Sequence, residues 1–108
     1  MRKLVMLLAV AALSVGLVVS TVAFGATKKV GVKGLAFTPK KITVTKGTTV
    51  VWHWKTGGVP HNLKGKGFGT GTPKATVTYR HKFTKKGTYK YVCTIHKAQG
   101  MLGTVVVR

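Results

Sequence analysis

One stretch near the C-terminus sets the organisation of this chain: residues 87–103 read GTYKYVCTIHKAQGMLG. Two tyrosines and Cys93 fall on alternate positions, which is the period of a β-strand with one buried face. His96 follows Cys93 by three residues, and Met101 follows His96 by five. We therefore predict a strand that ends at a cysteine and continues into a short loop carrying a histidine and a methionine.

The same alternation of apolar and polar residues extends outward through the chain after residue 25, interrupted by turn residues such as Pro39 and Gly47. The residues expected to face the core are Val30, Val32, Leu35, Phe37, Ile42, Val44, Val50, Trp52, Trp54, Val77, Tyr79, His81, Phe83, Tyr89 and Tyr91. About seven short strands, the last over residues 104–107, predict an all-β fold in which two sheets pack face to face.

Some positions carry more specific expectations. Val51 and His53 fall on the polar face of their strand, so we predict that this face points to solvent. His81 falls among the apolar positions, which predicts a hydrogen-bonded core histidine. Residues 64–74 are rich in glycine and are predicted to form a mobile loop.

The first 25 residues have the features of an export signal. Arg2 and Lys3 precede an apolar run that begins at Leu4, and small residues follow around the expected cleavage point after Gly25. Residues 26–108 would then form one domain. The alternative is an uncleaved anchor helix, because the run up to Phe24 is just long enough to span a bilayer. Both alternatives predict an exported protein: periplasmic, extracellular or on the outer face of the cytoplasmic membrane.

The charge of the chain is entirely cationic, with 19 Lys and Arg and no Asp or Glu. Without Arg2 and Lys3, two of those 19 residues, the remainder still carries +17. The absence of carboxylates excludes paired-carboxylate glycosidases, aspartic proteases, Ser-His-Asp triads and carboxylate cages for Ca²⁺ or Mg²⁺. The positive charge predicts anionic partners, such as an acidic docking face on another protein, an anionic membrane or a cell-wall polymer. We expect a monomer.

The cysteine is the first residue that needs a chemical explanation. Cys93 is the only cysteine, so it cannot form an internal disulfide, and an exported thiol is usually paired, buried or bound to metal. Far upstream, Pro60 and His61 end the loop that follows a predicted strand. A thiolate, two imidazoles and a weak thioether are the ligand set of electron-transfer copper. His61, Cys93, His96 and Met101 are therefore the predicted copper ligands.

Each of these residues also has a simpler interpretation. Cys93 fits a buried thiol, since free cysteine packs as a small apolar side chain. His61 fits a turn residue, and Met101 fits a residue that fills the core. The metal site is favoured because all four occur together in this order.

The sequence resembles the cupredoxin family, and within it the small blue (type 1) copper proteins of the plastocyanin and halocyanin type. The resemblance is carried by residues 60–62 (PHN), 87–93 (GTYKYVC), 96–98 (HKA) and 100–103 (GMLG), together with the alternating strands between them. It implies an eight-stranded Greek-key sandwich with one copper at one end. It also implies that the ring of His96 reaches the surface as the electron port. Pro60 and Asn62 are expected beside the site, with Asn62 bonding backbone near Cys93.

The chain departs from this resemblance in its charge. Halocyanin-like proteins are typically acidic, and many plastocyanins carry acidic docking patches, whereas this chain has no acid. The predicted function is that of an exported single-electron carrier with redox protein partners and no substrate chemistry. The two spare histidines do not suffice for the additional copper centres of an oxidase or nitrite reductase.

Four alternatives remain open at this stage. A copper chaperone or storage protein could use the same ligands, although only Met101 of the three methionines lies after the leader. A basic module that binds polyanions would suit the charge, but export argues against nucleic acid as the ligand. A cysteine hydrolase would need Cys93 as nucleophile and lacks an orienting carboxylate. Zinc could also occupy the site, but copper binds such ligands more tightly.

Overall fold

A computed structural model describes residues 25–108. The predicted leader, apart from Gly25, lies outside the described residues, and so do its cleavage and its anchor alternative. The strands are β1 (Thr27–Lys33), β2 (Ala36–Thr38), β3 (Lys41–Val44), β4 (Thr48–Lys55), β5 (Lys64–Gly65), β6 (Phe68–Gly69), β7 (Thr76–Phe83), β8 (Gly87–Val92) and β9 (Leu102–Val107). A 3₁₀ helix covers Lys97–Gln99. In the part of the chain described, no helix is both long and apolar enough to traverse a bilayer.

The strands form two mixed sheets, in the orders β2-β1-β4-β7 and β3-β9-β8-β5-β6. The pairs β1–β4 and β3–β9 are parallel, whereas neighbouring strands elsewhere run antiparallel. The predicted all-β sandwich is confirmed.

The strand count differs from the prediction because residues 64–74 are not simply a loop. The first part of this segment forms the short hairpin β5–β6, and β5 pairs with β8. Phe68 holds the hairpin in place, since its buried ring stacks on Trp52 at a centroid distance of 5.9 Å. A long-range aromatic contact therefore orders a segment whose glycine content alone predicts a loop.

The core lies between the sheets, at the predicted alternate positions of β4 and β8 and at Val105 and Val107 of β9. Its centre is Trp52, which is fully buried and makes ring contacts with four aromatic residues. These are Phe68, Tyr79, Phe83 and Tyr91, at centroid distances of 5.4 to 6.3 Å. The sequence period therefore locates the core correctly.

Three positions depart from the alternation. Leu35 is 40% exposed, because it lies in the turn between β1 and β2 rather than in a strand. Val51 is buried although it faces outward, since the pairing places the long side chains of Lys29 and Arg80 on either side of it. His81 is half-buried rather than core, and its ring stacks on Phe68 at a centroid distance of 5.3 Å.

Strand direction places the predicted ligands at one end of the sandwich. β4 ends at Lys55 and leads into the loop that contains His61, and β8 ends at Val92, one residue before Cys93. We call this the site end. The turn at residues 45–47, before β4, and the turn at residues 84–86, before β8, lie at the opposite end, which we call the base.

The cross-strand pair of Tyr91 and Gly103 yields a first stability prediction. The Tyr91 ring lies directly over Gly103, so a methyl group there would overlap the ring. Gly103→Ala should lower the free energy of unfolding by about 1–3 kcal/mol, the usual cost of overpacking a core. The matched control is Gly31→Ala, a strand position where a methyl group would make only ordinary contacts. Equal denaturant midpoints for the two variants would contradict this packing.

Candidate metal centre

The loop after β8 holds three of the predicted ligand residues close together. The amide of Cys93 donates to the Met101 carbonyl at 3.0 Å, and the amide of Met101 donates to the His96 carbonyl at 3.3 Å. Gly100 closes the short 3₁₀ turn with φ of 83°, a left-handed conformation that favours glycine. The short segment from Cys93 to Met101 therefore folds back on itself and brings its two ends together.

His61 lies near the same point, in the loop that follows β4 of the other sheet. Its backbone exchanges two hydrogen bonds with Lys74, an amide-to-carbonyl pair at 3.0 and 2.9 Å. The Lys74 carbonyl also accepts from the indole Nε1 of Trp54 at 3.0 Å, and the Trp54 ring lies edge-to-face with the His61 ring. Sequence reasoning missed the contributions of Trp54 and Lys74, because no local motif reports this pairing.

The donor atoms of His61, Cys93 and His96 form a compact triangle. The Cys93 Sγ lies 4.0 Å from the His61 Nδ1 and 3.5 Å from the His96 Nδ1, and the two Nδ1 atoms are 3.2 Å apart. Metal–nitrogen bonds of about 2.0 Å and metal–sulfur bonds of about 2.3 Å would place such donors roughly 3.3–3.8 Å apart. The three donors therefore fit around one metal ion.

The centre is shielded from solvent unevenly. Cys93 and Met101 are fully buried and His61 is 1% exposed, whereas His96 is only half-buried. Burial lowers the pKa of His61, and the nearby charge of His96 lowers it further. The imidazole of His61 is therefore held in the neutral form whose lone pair binds metal.

Asn62 links the two loops that meet at the centre. Its Oδ1 accepts from the Thr94 amide at 2.8 Å, and its Nδ2 donates to the Gly71 carbonyl at 2.8 Å and to the Thr94 hydroxyl at 3.0 Å. These bonds tie the residue after His61 to the residue after Cys93. Pro60 lies exposed in the loop immediately before His61.

Asn62→Ala should separate the two loops. The substitution leaves the Thr94 amide without its partner and removes the partly buried hydrogen bonds of Asn62, so the free energy of unfolding should fall by about 1–3 kcal/mol. Metal release should also become faster, because the two loops carry different predicted ligands. The control is Thr78→Ala, which removes an exposed hydrogen bond to His53 and should change neither quantity appreciably. Unaltered metal release in Asn62→Ala would contradict the linking role.

The remaining histidines lie elsewhere on the sandwich. His53 is exposed on the outer face of β4 and bonds the Thr78 hydroxyl through Nδ1, at 2.8 Å. Among residues 25–108, the three-residue cluster of His61, Cys93 and His96 is the group of histidine and cysteine donors close enough to share an ion.

Comparison with known proteins agrees with this geometry. A family described as copper binding proteins of the plastocyanin/azurin family matches residues 25–108. The chain belongs to this family. Copper is accordingly its cofactor, and the resemblance to small blue copper proteins is confirmed.

Individual members of the family match over most of the described residues. Halocyanin of Natronomonas pharaonis is 39% identical over 71% of this chain, and the match spans only 51% of halocyanin. Plastocyanin of Vicia faba is 34% identical over 68% of this chain and 89% of its own length. The structure of a purple cupredoxin from Nitrosopumilus maritimus is 26% identical, has a TM-score of 0.61, and is matched over 75% of this chain and 99% of its own.

Proposed function

We propose that this protein is an exported carrier of single electrons that holds one copper ion through His61, Cys93, His96 and Met101. The observation that carries the proposal is the convergence of three soft or borderline donors, within 4.8 Å of one another, from two separate loops. Met101 is buried beside them, with its backbone bonded to both Cys93 and His96. Copper bound there supplies a one-electron couple.

The surrounding residues support a carrier rather than a chaperone. Three of the four proposed ligand residues are almost completely buried, whereas a site that hands over metal should be open. The Asn62 bonds and the His61–Lys74 pair fix the loops from both sides. A cage held in this way changes little between two oxidation states, which favours fast electron exchange. We propose electron transfer without catalysis, because burial of His61, Cys93 and Met101 shields the metal from a substrate.

The site end offers a docking surface for a redox partner. Half-buried His96 is the most accessible of the proposed ligands. Four large apolar side chains are exposed in the turns and strand ends at this end of the sandwich, and they are Leu35, Val59, Ile95 and Leu102. Electrons would therefore enter and leave through the His96 ring, with the partner covering the apolar residues around it.

The axial ligand gives a direct test of the proposed site. Met101→Gln should retain copper and lower its reduction potential, because an amide oxygen is a harder donor than a thioether and stabilises the oxidised ion. Cyclic voltammetry of the two proteins measures the change. As a control, Leu102→Gln alters the next, exposed residue and should leave the potential close to that of the parent. Equal potentials for Met101→Gln and the parent would contradict axial ligation.

The partner should be acidic at its docking face, since this chain has no acidic residue to receive a basic one. Association with such a partner should slow steeply as salt is added, because the Debye length falls from about 10 Å at 0.1 M to about 3 Å at 1 M. Stopped-flow oxidation by an anionic and by a cationic inorganic complex measures this effect without a known partner. Rates with opposite salt dependence for the two complexes are expected, and salt-independent rates for both would contradict electrostatic docking.

A further inference from the structure

The base of the sandwich, remote from the metal centre, carries a dense group of cations. The exposed side chains at or next to this end, here called the basal cluster, are Lys28, Lys46, Lys82, Lys85, Lys86 and Arg108. Backbone contacts bring their segments together: the amide of Lys46 donates to the Arg108 carbonyl, and the amide of Gly47 donates to the Phe83 carbonyl. Because the chain contains no Asp or Glu, no acidic side chain neutralises this cluster.

The chain also enters the sandwich at the base. Gly25 lies so close to the Gly47 carbonyl that no side chain would fit, and the Ala26 carbonyl accepts from the Thr49 amide at 2.9 Å. The sequence immediately before Gly25 is the apolar run from Leu4 to Phe24, whose length matches a bilayer. Gly25, the residue that follows this run in sequence, therefore lies at the same end of the sandwich as the basal cluster.

The two ends of the sandwich differ in the kind of surface that they expose. The four exposed large apolar side chains belong to turns and strand ends at the site end, where Ile95 is next to His96. Within residues 25–108, the base exposes lysines without such apolar side chains, whereas the site end exposes both, with Lys33, Lys55 and Lys97 beside the apolar residues. The six residues of β8 separate the two ends by about 20 Å, at the usual rise of about 3.3 Å per strand residue. A surface bound at the base would therefore leave His96 accessible.

We propose that the basal cluster docks this domain onto the anionic headgroups of a phospholipid membrane, with the metal centre pointing away from it. Lysines near an anionic bilayer are each attracted to it, and the attraction extends over about a Debye length. A membrane is favoured over another polyanion because the anchor alternative for the apolar run would attach the chain to a bilayer through Gly25, at this same end. The proposal does not depend on copper, since none of the proposed ligands belongs to the basal cluster.

Lysine footprinting on vesicles tests this orientation. The full chain is reconstituted with vesicles of phosphatidylcholine alone, or of phosphatidylcholine with one-third phosphatidylglycerol. Its lysines are then acetylated with a membrane-impermeant reagent, and the acetylation of each lysine is quantified by mass spectrometry. Phosphatidylglycerol should slow the acetylation of Lys28, Lys46, Lys85 and Lys86 several-fold. The labelling of Lys41, Lys64 and Lys90, which are exposed on β3, β5 and β8 away from the base, should not change. The difference should disappear at 1 M salt.

A pair of triple variants of equal charge locates the effect. K46Q/K85Q/K86Q should remove the protection of Lys28, because each lysine near an anionic surface contributes about fivefold in binding and three contribute about a hundredfold. The matched K41Q/K64Q/K90Q variant should keep it. In the parent protein, equal protection of the basal lysines and of Lys41, Lys64 and Lys90 would indicate nonspecific attraction and overturn the proposal. Protection of Lys97, beside His96, would place the metal end on the membrane instead and would also overturn it. Protection by a soluble polyanion but not by phosphatidylglycerol would also overturn it.

Discussion

Cys93→Ser should abolish the intense visible absorption of the copper-loaded protein. The thiolate of Cys93 is the only sulfur anion that the chain can offer, and its Sγ lies within 4.0 Å of both proposed imidazole donors. A serine hydroxyl is a harder and weaker ligand, so copper affinity should fall as well. Absorption spectra during copper titration measure the band and the affinity together, and a loss of at least tenfold in both is expected.

His53→Gln is the control for that experiment. It also removes a potential metal ligand, but from an exposed position on the outer face of β4, where the ring bonds Thr78. Its spectrum and copper affinity should match those of the parent protein. A visible band that survives in Cys93→Ser, or one that disappears in His53→Gln, would place the copper elsewhere.

Trp52→Ala should have the largest effect on stability. Trp52 is fully buried at the centre of the core and contacts aromatic residues of both sheets. Truncation of such a side chain leaves a cavity and costs about 3–5 kcal/mol, which is a large part of the stability of a small domain. Chemical denaturation of the metal-free protein, followed by circular dichroism, measures the loss.

Leu102→Ala is the matched control, since it also removes a large apolar side chain, but one that is 41% exposed. Its free energy of unfolding should stay within about 0.5 kcal/mol of the parent value. If the two variants unfolded at the same denaturant concentration, Trp52 would not be the centre of the core.

The core and the candidate site could both be predicted because they depend on local patterns. The period of two around Trp52 and Tyr91 identifies buried faces without any knowledge of strand partners. The spacing from Cys93 to Met101 keeps three proposed ligand residues in one loop, so their proximity follows from the sequence. The position of His61 at the end of the loop after a predicted strand identifies it as a candidate ligand, and in the structure its Nδ1 lies 3.2 Å from the His96 Nδ1.

Other features depend on partners that are distant in sequence. Val51 is buried because of neighbours on two other strands, and the β5–β6 hairpin is ordered by the contact of Phe68 with Trp52. The bonds of Lys74 to His61 and Trp54 arise from two loops crossing. Residue type and local period contain no information on such pairings. The sequence therefore predicts a polar face at Val51 and a loop over residues 64–74.

The most direct test of the account is the visible spectrum of the protein loaded with Cu²⁺, reduced with ascorbate and then reoxidised. The proposed ligand set predicts an intense band at one copper per chain that bleaches on reduction and returns on oxidation over repeated cycles. A colourless protein, or one that loses its copper on reduction, would contradict a carrier of single electrons and leave a basic sandwich with a buried thiol.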